Sequence, residues 1–497
     1  MTSTQIDRSS LMKTSENPHH DRRWLILVVL GIAQLMVVLD GTVVNIALPS
    51  AQHALGFSDG NRQWIVTAYS LAFGSLLLLG GRLADLLGRK RMFLIGLVGF
   101  ALASAVGGAA DGFGMLVTAR AVQGAFGAML APAALSLLTT TFTHPRERAK
   151  AFGVYGAIAG GGAAVGLLLG GVLTEYLSWR WCMYINLIFA AAAFVGGMAW
   201  LQNQRAEHRP KLDIPGIVTV SAGLFSLVYG FSHAETGGWA SATTVGFLIA
   251  GVVLLGAFLA IQTRSPHPLL PLRILTDRNR GGSYLAIFVV GIGMFGVFLF
   301  LTYYLQASLG YSAVLTGVSF LPMTAGIMLS STVGSSFLAT RVGPRWIIGA
   351  GMLIAAVGMA LLTGIGLTSD FALHVLPGTV VMGVGIGLVF SSAMSLATAG
   401  VHTEDAGVAS AMVNTSQQIG GSIGTALLNT LAASAVTSYL VSHAAEGKGA
   451  AATAALHGYT TAFWWAAGIF AAGGVLCAII LRPEVPVMDP DVEIVHV

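Results

Sequence analysis

Charged residues are scarce in this chain. Asp, Glu, Lys and Arg make up 9% of its 497 residues and hydrophobic residues make up 55%, whereas an ordinary soluble domain carries about 25% charged residues. The formal net charge is +4, but the basic residues are spread over short segments and form no patch, so we expect no nucleic-acid partner. The scarcity of charge indicates a polytopic membrane protein and excludes an ordinary soluble enzyme.

Cysteine is nearly absent as well. Cys182 and Cys477 are the only two, and each lies in an apolar run, so we expect neither a disulfide nor a metal site. The sequence also lacks a Walker loop, a zinc pattern and a nucleophile elbow. A G-x-G-x-x-G match at 291–296 lies inside an apolar run with no preceding strand, so it is not a nucleotide loop. We therefore expect no cofactor and no enzymatic activity.

Long apolar runs are abundant instead. About 20 apolar residues are needed to cross a bilayer as a helix, and no run here alternates with the two-residue period of a barrel strand. The sequence predicts an all-α protein with fourteen transmembrane helices at 24–48, 64–82, 91–110, 114–138, 149–174, 181–201, 214–233, 242–262, 283–306, 313–340, 345–367, 372–399, 406–438 and 459–481.

The distribution of Lys and Arg predicts the orientation of these helices. Of the 25 such residues, all but Arg62, Arg120, Arg180 and Lys448 lie in the N-terminal tail or in segments that follow even-numbered runs. Because cytoplasmic loops carry an excess of Lys and Arg, we expect both termini in the cytoplasm. The polar start of the chain resembles that of a signal peptide, but the apolar run behind it is too long, which predicts an uncleaved first helix.

The runs suggest a repeated plan. Two blocks of six helices, 24–201 and 283–481, flank a central segment at 202–282 that holds the seventh and eighth runs, and polar tails lie at 1–23 and 482–497. A doubled six-helix bundle is typical of a transporter whose site lies between its halves.

Asp40 lies inside the first apolar run. A charge at that depth costs several kcal/mol or more, on the order of +2.5–3.5 at the least, so such a residue faces a cavity or a partner and is commonly functional. The alternative is a structural acid that is hydrogen-bonded to a neighbouring helix.

Arg120 is the second deep charge. On an outward-running first helix Asp40 lies about 12 Å below the outer face, and on an inward-running fourth helix Arg120 lies about 9 Å below it, at 1.5 Å per residue. The two side chains could therefore meet. Burial favours a neutral carboxyl and a nearby guanidinium favours the carboxylate, which leaves a group that can change its protonation state. Alternatively, Arg120 is a structural clamp on helix-end carbonyls.

Two glycine-containing patterns complete the set. The segment Gly81-Arg82-Leu83-Ala84-Asp85-Leu86-Leu87-Gly88-Arg89-Lys90-Arg91 is expected to form a short loop in which glycines allow a tight reversal. In the fifth run, Gly162, Gly166 and Gly170 lie one turn apart, which favours a face on which a partner helix can pack closely and slide. Ordinary close packing of helices is the alternative.

These patterns resemble the major facilitator superfamily, and within it the fourteen-helix drug:proton antiporters. The loop at 81–91 looks like the signature loop of the superfamily. Leu39–Pro49 resembles the first-helix motif of the antiporters. Arg120–Gly124 with Gly127 resembles their proton-translocation motif. Their fifth-helix motif is similar to the set Gly162, Gly166, Gly170 and Gly171. Three positions depart from the family pattern, namely Leu167 and Ile188, where Pro is usual, and Gln417, where Arg is common.

The resemblance implies a major facilitator fold of two six-helix bundles plus two central helices, and proton-coupled efflux of lipophilic drugs or antibiotics across the plasma membrane. Asp40 and Arg120 would couple transport to protons, and Gly81, Asp85, Gly88 and Arg89 would form a gate. Other expected partners are the lipophilic substrate, protons and the lipid bilayer, with the protein acting as a monomer. Polar and aromatic residues that could line the substrate pocket are Asn45, Tyr69, Gln123, Asn414 and Gln418.

Two other functions remain open at this point. One is export of an endogenous metabolite or siderophore by the same mechanism. The other, of a different class, is a transport-inactive membrane sensor, against which Asp40 and the motif at 81–91 both argue.

Overall fold

A computed structural model describes residues 22–57, 59–202, 213–334, 338, 341–401, 405–443 and 449–482. Across these ranges the chain is helical and has no strand. Most of the two predicted tails, Glu404 and Lys448 lie outside the described residues, as do the side chains of Asn45 and Pro49.

The first half of the chain and the central pair contain eight long helices. Their bounds are α1 Arg23–Leu55, α2 Asp59–Leu87, α3 Arg89–Gly108, α4 Phe113–Thr141, α5 Pro145–Tyr176, α6 Trp181–Trp200, α7 Ile214–Gly237 and α8 Ala242–Gln262. The remainder comprises α9 Arg273–Thr276, α10 Arg278–Tyr303, α11 Ala313–Ser319, α12 Leu321–Val333, α13 Pro344–Leu362, α14 Leu376–Ala397, α15 Ala406–Ser442 and α16 Gly449–Ile480.

Thirteen segments of the described chain are long and apolar enough to cross a membrane, with α11 and α12 counted as one crossing. The remaining predicted crossing, 149–174, falls in α5, whose apolar stretch Val165–Tyr176 is shorter. Helix α5 nevertheless has 32 residues, which at 1.5 Å per residue gives about 48 Å, more than the ~30 Å hydrocarbon core. The pattern of crossings agrees with the fold expected from the sequence.

The expectation that 81–91 forms a loop is wrong. Helix α2 continues to Leu87 and α3 begins at Arg89, so Gly88 alone connects them. Gly88 has φ of 97°, in the left-handed region that favours glycine. Charged residues suggested a loop, but Arg82 and Asp85 are buried in the helix, and Asp85 contacts a partner that is described below.

Several crossings contain an irregular turn, among them the ninth, in which α10 is followed by a π-helical turn at Tyr304–Ser308. The tenth crossing breaks at Phe320, between α11 and α12, and Pro322 stands in the first turn of α12, where the missing N–H of proline is tolerated. The twelfth crossing starts with a π-helical turn, Phe371–Val375, and then continues as α14.

Cations close several helix ends. Lys90 Nζ donates to the carbonyls of Met198 and Leu201 at the end of α6. Arg180 Nη1 donates to the carbonyls of Gly108 and Ala110 at 2.7 Å each, at the end of α3. Since the last carbonyls of a helix have no partner within the helix, these cations tie neighbouring helix ends together.

The helices form two groups joined by the central pair. Helices α1–α6 pack against one another, and so do α10–α16. The groups meet where α2 contacts α15 and where α5 contacts α12 and α14, while α7 packs on α8, α2 and α15. The central pair therefore lies against one helix from each half.

Helix α15 crosses α10 closely at its middle. A Cβ on Gly420 would lie 2.2 Å from the carbonyl oxygen of Phe288, and one on Gly424 would lie 2.5 Å from the Cα of Ile292. Both distances are far inside van der Waals contact, so this crossing requires glycine, as in other close membrane helix pairs.

Candidate functional site

The two deep charges predicted from the sequence are in direct contact. Arg120 Nη1 lies 2.6 Å from Asp40 Oδ2, and the side chains of Arg120 and Asp40 are 1% and 0% exposed. The pair joins α1 to α4 inside the first group of helices. In such surroundings an ion pair is stable only when its remaining donors and acceptors are also satisfied.

Neighbouring helices supply those partners. Gln123 Nε2 donates to Asp40 Oδ1 at 2.7 Å, and Asn186 Nδ2 donates to the same oxygen at 2.8 Å. Gln123 Oε1 also accepts from Arg120 Nη1 at 2.7 Å. Asn186 Nδ2 lies 3.0 Å from Ser104 Oγ, which donates to the carbonyl of Met183. The carboxylate therefore accepts three hydrogen bonds in a network that spans α1, α3, α4 and α6.

Helix α2 covers the guanidinium of Arg120. The guanidinium carbon lies 4.4 Å from the ring centroid of Tyr69, a distance at which a cation is attracted to the ring face. Arg120 Nε donates to the carbonyl of Ile65 at 3.4 Å. That bond is the longest of the described hydrogen bonds of Arg120. Arg120 is therefore held mainly by the carboxylate of Asp40, and its contact with a backbone carbonyl is secondary.

Arg120 and the two amide donors surround the carboxylate of Asp40 with three hydrogen bonds. A proton that binds Asp40 would remove the counter-charge of Arg120 and change which hydrogen bonds can form. The network therefore links four helices through one buried carboxylate.

The glycine face of α5 packs on α1 beside Asp40. A Cβ on Gly162 would lie 2.9 Å from Val38 Cγ1, one on Gly166 would lie 1.9 Å from Thr42 Oγ1, and one on Gly170 would lie 3.1 Å from Val43 Cα. Gly171 is buried next to Gly170. Close packing of these two helices therefore depends on the glycines, and their contact surface is the face of α1 adjacent to the carboxylate.

A second cluster joins the two halves. Asp85 Oδ1 accepts from the backbone N–H of Gly407 at 3.1 Å and lies 3.4 Å from Arg89 Nη2. Gly407 is in the first turn of α15, where backbone N–H groups and the helix dipole favour an anion. A Cβ on Gly81 would lie 2.6 Å from the carbonyl oxygen of Gly407. Gly81 and Asp85 contact Gly407, and Arg89 is paired with Asp85; we call these four residues the α2–α15 latch.

The Lys- and Arg-rich segments adjoin one end of the helix bundle, and we call that end the basic face. The latch lies at this face. Two further contacts hold the same face together. Arg273 forms an ion pair with Asp405, the residue before α15. Arg148 Nη2, at the start of α5, donates to Thr398 Oγ1 after α14 at 2.9 Å. In this structure the two halves are therefore in contact at their basic face.

The residues suggested for a substrate pocket fall in different places. Gln123 and Tyr69 belong to the Asp40 cluster and are buried. Asn414 and Gln418 are half-buried on α15, where Asn414 Nδ2 donates to the carbonyl of Ser410. The structure therefore brings none of these side chains together into one described cavity.

Sequence reasoning missed three members of these clusters. Asn186 is the one amide in the sixth run and Ser104 is the one hydroxyl in the third, so a polar residue within an apolar run was the available signal. Gly407 gave no signal, because this chain has 64 glycines and the role of Gly407 depends on a contact between distant helices.

Known proteins match the chain over most of its length. The family model described as Major Facilitator Superfamily matches residues 30–425. The puromycin resistance protein pur8 of Streptomyces alboniger is 50% identical, over 94% of this chain and 93% of that protein. The cephamycin export protein CmcT of Amycolatopsis lactamdurans is 38% identical, over 82% of this chain and 85% of that protein.

A solved structure supports the fold. The human organic anion transporter MFSD10 (TETRAN) superimposes with a TM-score of 0.62 at 16% identity, over 92% of this chain and 99% of that one. With helices that can cross a membrane, two packed halves and a family model that covers most of its length, this multi-pass membrane protein belongs to the Major Facilitator Superfamily.

Proposed function

We propose that this protein exports lipophilic drugs or antibiotics across the plasma membrane in exchange for protons. One observation carries the proton coupling: a carboxylate and a guanidinium paired at 2.6 Å with almost no exposure. Such a pair adds little stability over an apolar pair of the same size, which favours a function for it. The export function is supported by relatives that are named for resistance to and export of antibiotics.

The proposed cycle begins with a proton on Asp40. The neutral carboxyl loses its ionic contact with Arg120, and its O–H needs an acceptor. Asn186 Oδ1 is buried and has no hydrogen-bond partner among the described residues, so it is available for that role. The exchange of partners loosens α4 and α6 against α1. The glycine face of α5 then allows α1 to shift with little steric resistance.

The energy comes from the membrane. An inward-moving proton gains about 2.3 kcal/mol per 100 mV of membrane potential, in addition to any pH gradient. With the basic face in the cytoplasm, the α2–α15 latch closes the cytoplasmic side in the state described. Opening the latch would expose the crevice between the halves to a cytoplasmic substrate.

The charges favour neutral or singly charged substrates. Asp40 is fully occupied by Arg120, Gln123 and Asn186, and Asp85 is bound to α15. Neither carboxylate is free to balance the two charges of a dication in the crevice, and an uncompensated buried charge is expensive. We therefore expect monovalent lipophilic compounds to be exported well and rigid dications poorly. Efflux of a divalent aromatic cation at the rate of its monovalent analogue, in the same vesicles, would argue against this.

The test is transport in inverted membrane vesicles. Vesicles that contain the protein should accumulate puromycin when a proton gradient, acidic inside, is imposed, and accumulation should collapse with a protonophore. Each transported molecule should release protons that a pH dye detects. Vesicles with the Asp111→Asn variant, whose acid is exposed in the turn after α3, serve as a matched control and should behave like the wild type.

Orientation has a separate test. A reporter that is active only in the cytoplasm, fused after Arg482, should be active. Labelling of that fusion from outside intact cells would show that the basic face is extracellular and would reverse the proposed direction.

A further inference from the structure

A cavity of about 560 Å³, wide open to the surface, lies between the end of α7, the α7–α8 turn and the second half of α15. Its volume is within the range of small-molecule sites, about 300–1,000 Å³. The residues that line it come from the end of α7, the α7–α8 turn and α15, among them Gly238, Trp239, Thr430, Ala433, Ser434 and Thr437. The cavity is separate from the Asp40 cluster and shares no residue with the α2–α15 latch.

The depth of the cavity follows from the helices that form it. Thr430 lies 24 positions after Ala406 on α15, which at 1.5 Å per residue is about 36 Å from the basic face. Helix α7 has 24 residues and therefore reaches a similar depth. Because the hydrocarbon core is about 30 Å thick, the cavity lies at the level of the lipid headgroups on the face opposite the basic face.

A fixed aromatic wall forms one side of the cavity. Trp239 Nε1 donates to Thr430 Oγ1 at 2.6 Å, and the ring of Phe231 meets the indole edge-on at 5.8 Å between centroids. Tryptophan combines an apolar ring with a polar tip and suits the membrane interface. Here the hydrogen bond holds the ring in place while it joins the central pair to the second half of the molecule.

The rest of the wall is uncharged. Its described residues carry hydroxyl, amide and methyl groups and no acid or base. Ser434 and Thr437 lie one turn apart on α15 and are exposed, so their hydroxyls are accessible to a ligand. This chemistry suits a neutral or weakly charged amphiphile that has an aromatic or apolar body and hydrogen-bonding groups.

We infer that this cavity is an exit subsite, which holds the exported amphiphile at headgroup depth after it leaves the crevice between the halves. The inference rests on the proposed export function. Lipids of the same leaflet share this amphiphilic chemistry. We assign the cavity to the exported compound. Its position against α15, at the end remote from the latch, places it on the side from which a substrate leaves.

Cysteine protection tests the inference. The native Cys182 and Cys477 are fully buried, so Ser434→Cys introduces one accessible thiol. In membranes with this face exposed, puromycin should slow labelling of that thiol by an impermeant maleimide several-fold. Val441→Cys is the matched control, since it lies on the same helix, is 76% exposed and does not line the cavity. Its labelling rate should not change with puromycin.

A second variant tests transport. Ala433→Trp should fill the cavity and lower kcat/KM for puromycin export several-fold while the pH dependence of transport stays that of the wild type. Val441→Trp is its control and should leave export unchanged. Ala433 is exposed, so the added ring requires no change in the packing between helices.

The outcomes separate the two proposals. Vesicles of wild-type protein that move none of the tested compounds with a proton gradient would contradict the proposed export function. Active export with no protection of Ser434→Cys, and with normal export by Ala433→Trp, would overturn the exit subsite alone. Protection by added phospholipid but not by puromycin would also overturn it and would assign the cavity to lipid.

Discussion

The carboxylate of Asp85 accepts a hydrogen bond from the backbone N–H of Gly407, 322 positions further along the chain. This contact places a negative side chain at the start of α15, where the helix dipole stabilises it. It also brings the backbones of α2 and α15 so close that neither Gly81 nor Gly407 has room for a side chain. Closure of the basic face therefore depends on the absence of two Cβ atoms.

Gly407→Ala should open the α2–α15 latch. Its Cβ would lie 2.4 Å from the carbonyl oxygen of Gly81 and 2.6 Å from Asp85 Oδ2, so the helices must separate. Overpacking of this kind costs about 1–3 kcal/mol, a shift of about 5- to 150-fold in the equilibrium between closed and open states. We expect slower export with normal expression, measured in inverted vesicles.

The control for this variant is Gly256→Ala on α8, where a Cβ would meet nothing within 4 Å. Alanine is the better helix former, so this change should leave export unchanged. Equal export by Gly407→Ala and Gly256→Ala would show that the latch does not limit transport.

Asp40→Asn should abolish proton-driven export. The amide cannot bind and release a proton at the carboxylate position, and it also leaves the buried Arg120 without a counter-charge. Removing one partner of a buried pair costs about 3–5 kcal/mol, so reduced expression is expected in addition. The double variant Asp40→Asn/Arg120→Gln removes both charges and should recover expression but not export. Uphill export by the double variant would rule out Asp40 as the proton carrier.

Arg120→Gln should shift the pH dependence of export. The guanidinium is the counter-charge that lies 2.6 Å from the carboxylate of Asp40, so its removal should change how Asp40 binds and releases a proton. Export measured from pH 6 to pH 9 should have a displaced optimum and a lower maximum. Arg180→Gln, which removes a cation that caps α3, is the comparison and should alter stability without moving the optimum. An unchanged pH profile in Arg120→Gln would show that the two residues are uncoupled.

Gly166→Ala should impair movement of α5 against α1. The new Cβ would lie 1.9 Å from Thr42 Oγ1 and 3.1 Å from Thr42 Cβ. Thr42→Ala removes the closer atom, and since the hydroxyl bonds only within its own helix among the contacts described, its loss should cost little. The double variant should therefore recover part of the export that Gly166→Ala loses. Additive losses in the double variant would show that the clash is not the cause.

The sequence predicted the charge pair because two ionised residues inside apolar runs are rare and helix rise gives their depth. Asn186 and Gly407 were not predicted, because contacts between helices depend on how the bundle is assembled and not on the period of one helix. The turn at Gly88 was misplaced for a related reason. Their charge predicts that Arg82 and Asp85 are exposed to solvent, whereas both are buried and Asp85 Oδ1 accepts a hydrogen bond from the start of a distant helix.

Helix α15 carries the latch near its start, the cavity toward its end and the close crossing with α10 at Gly420 and Gly424 between them. In the proposed mechanism α15 moves as one body, and the close crossing at Gly420 and Gly424 is the point about which it pivots. A tilt that lifts Gly407 away from Asp85 then swings Thr430 in the opposite sense against Trp239. In the proposed cycle, opening of the α2–α15 latch and movement of α15 at the cavity would therefore be coupled, and a substrate held in the cavity would resist opening of the latch.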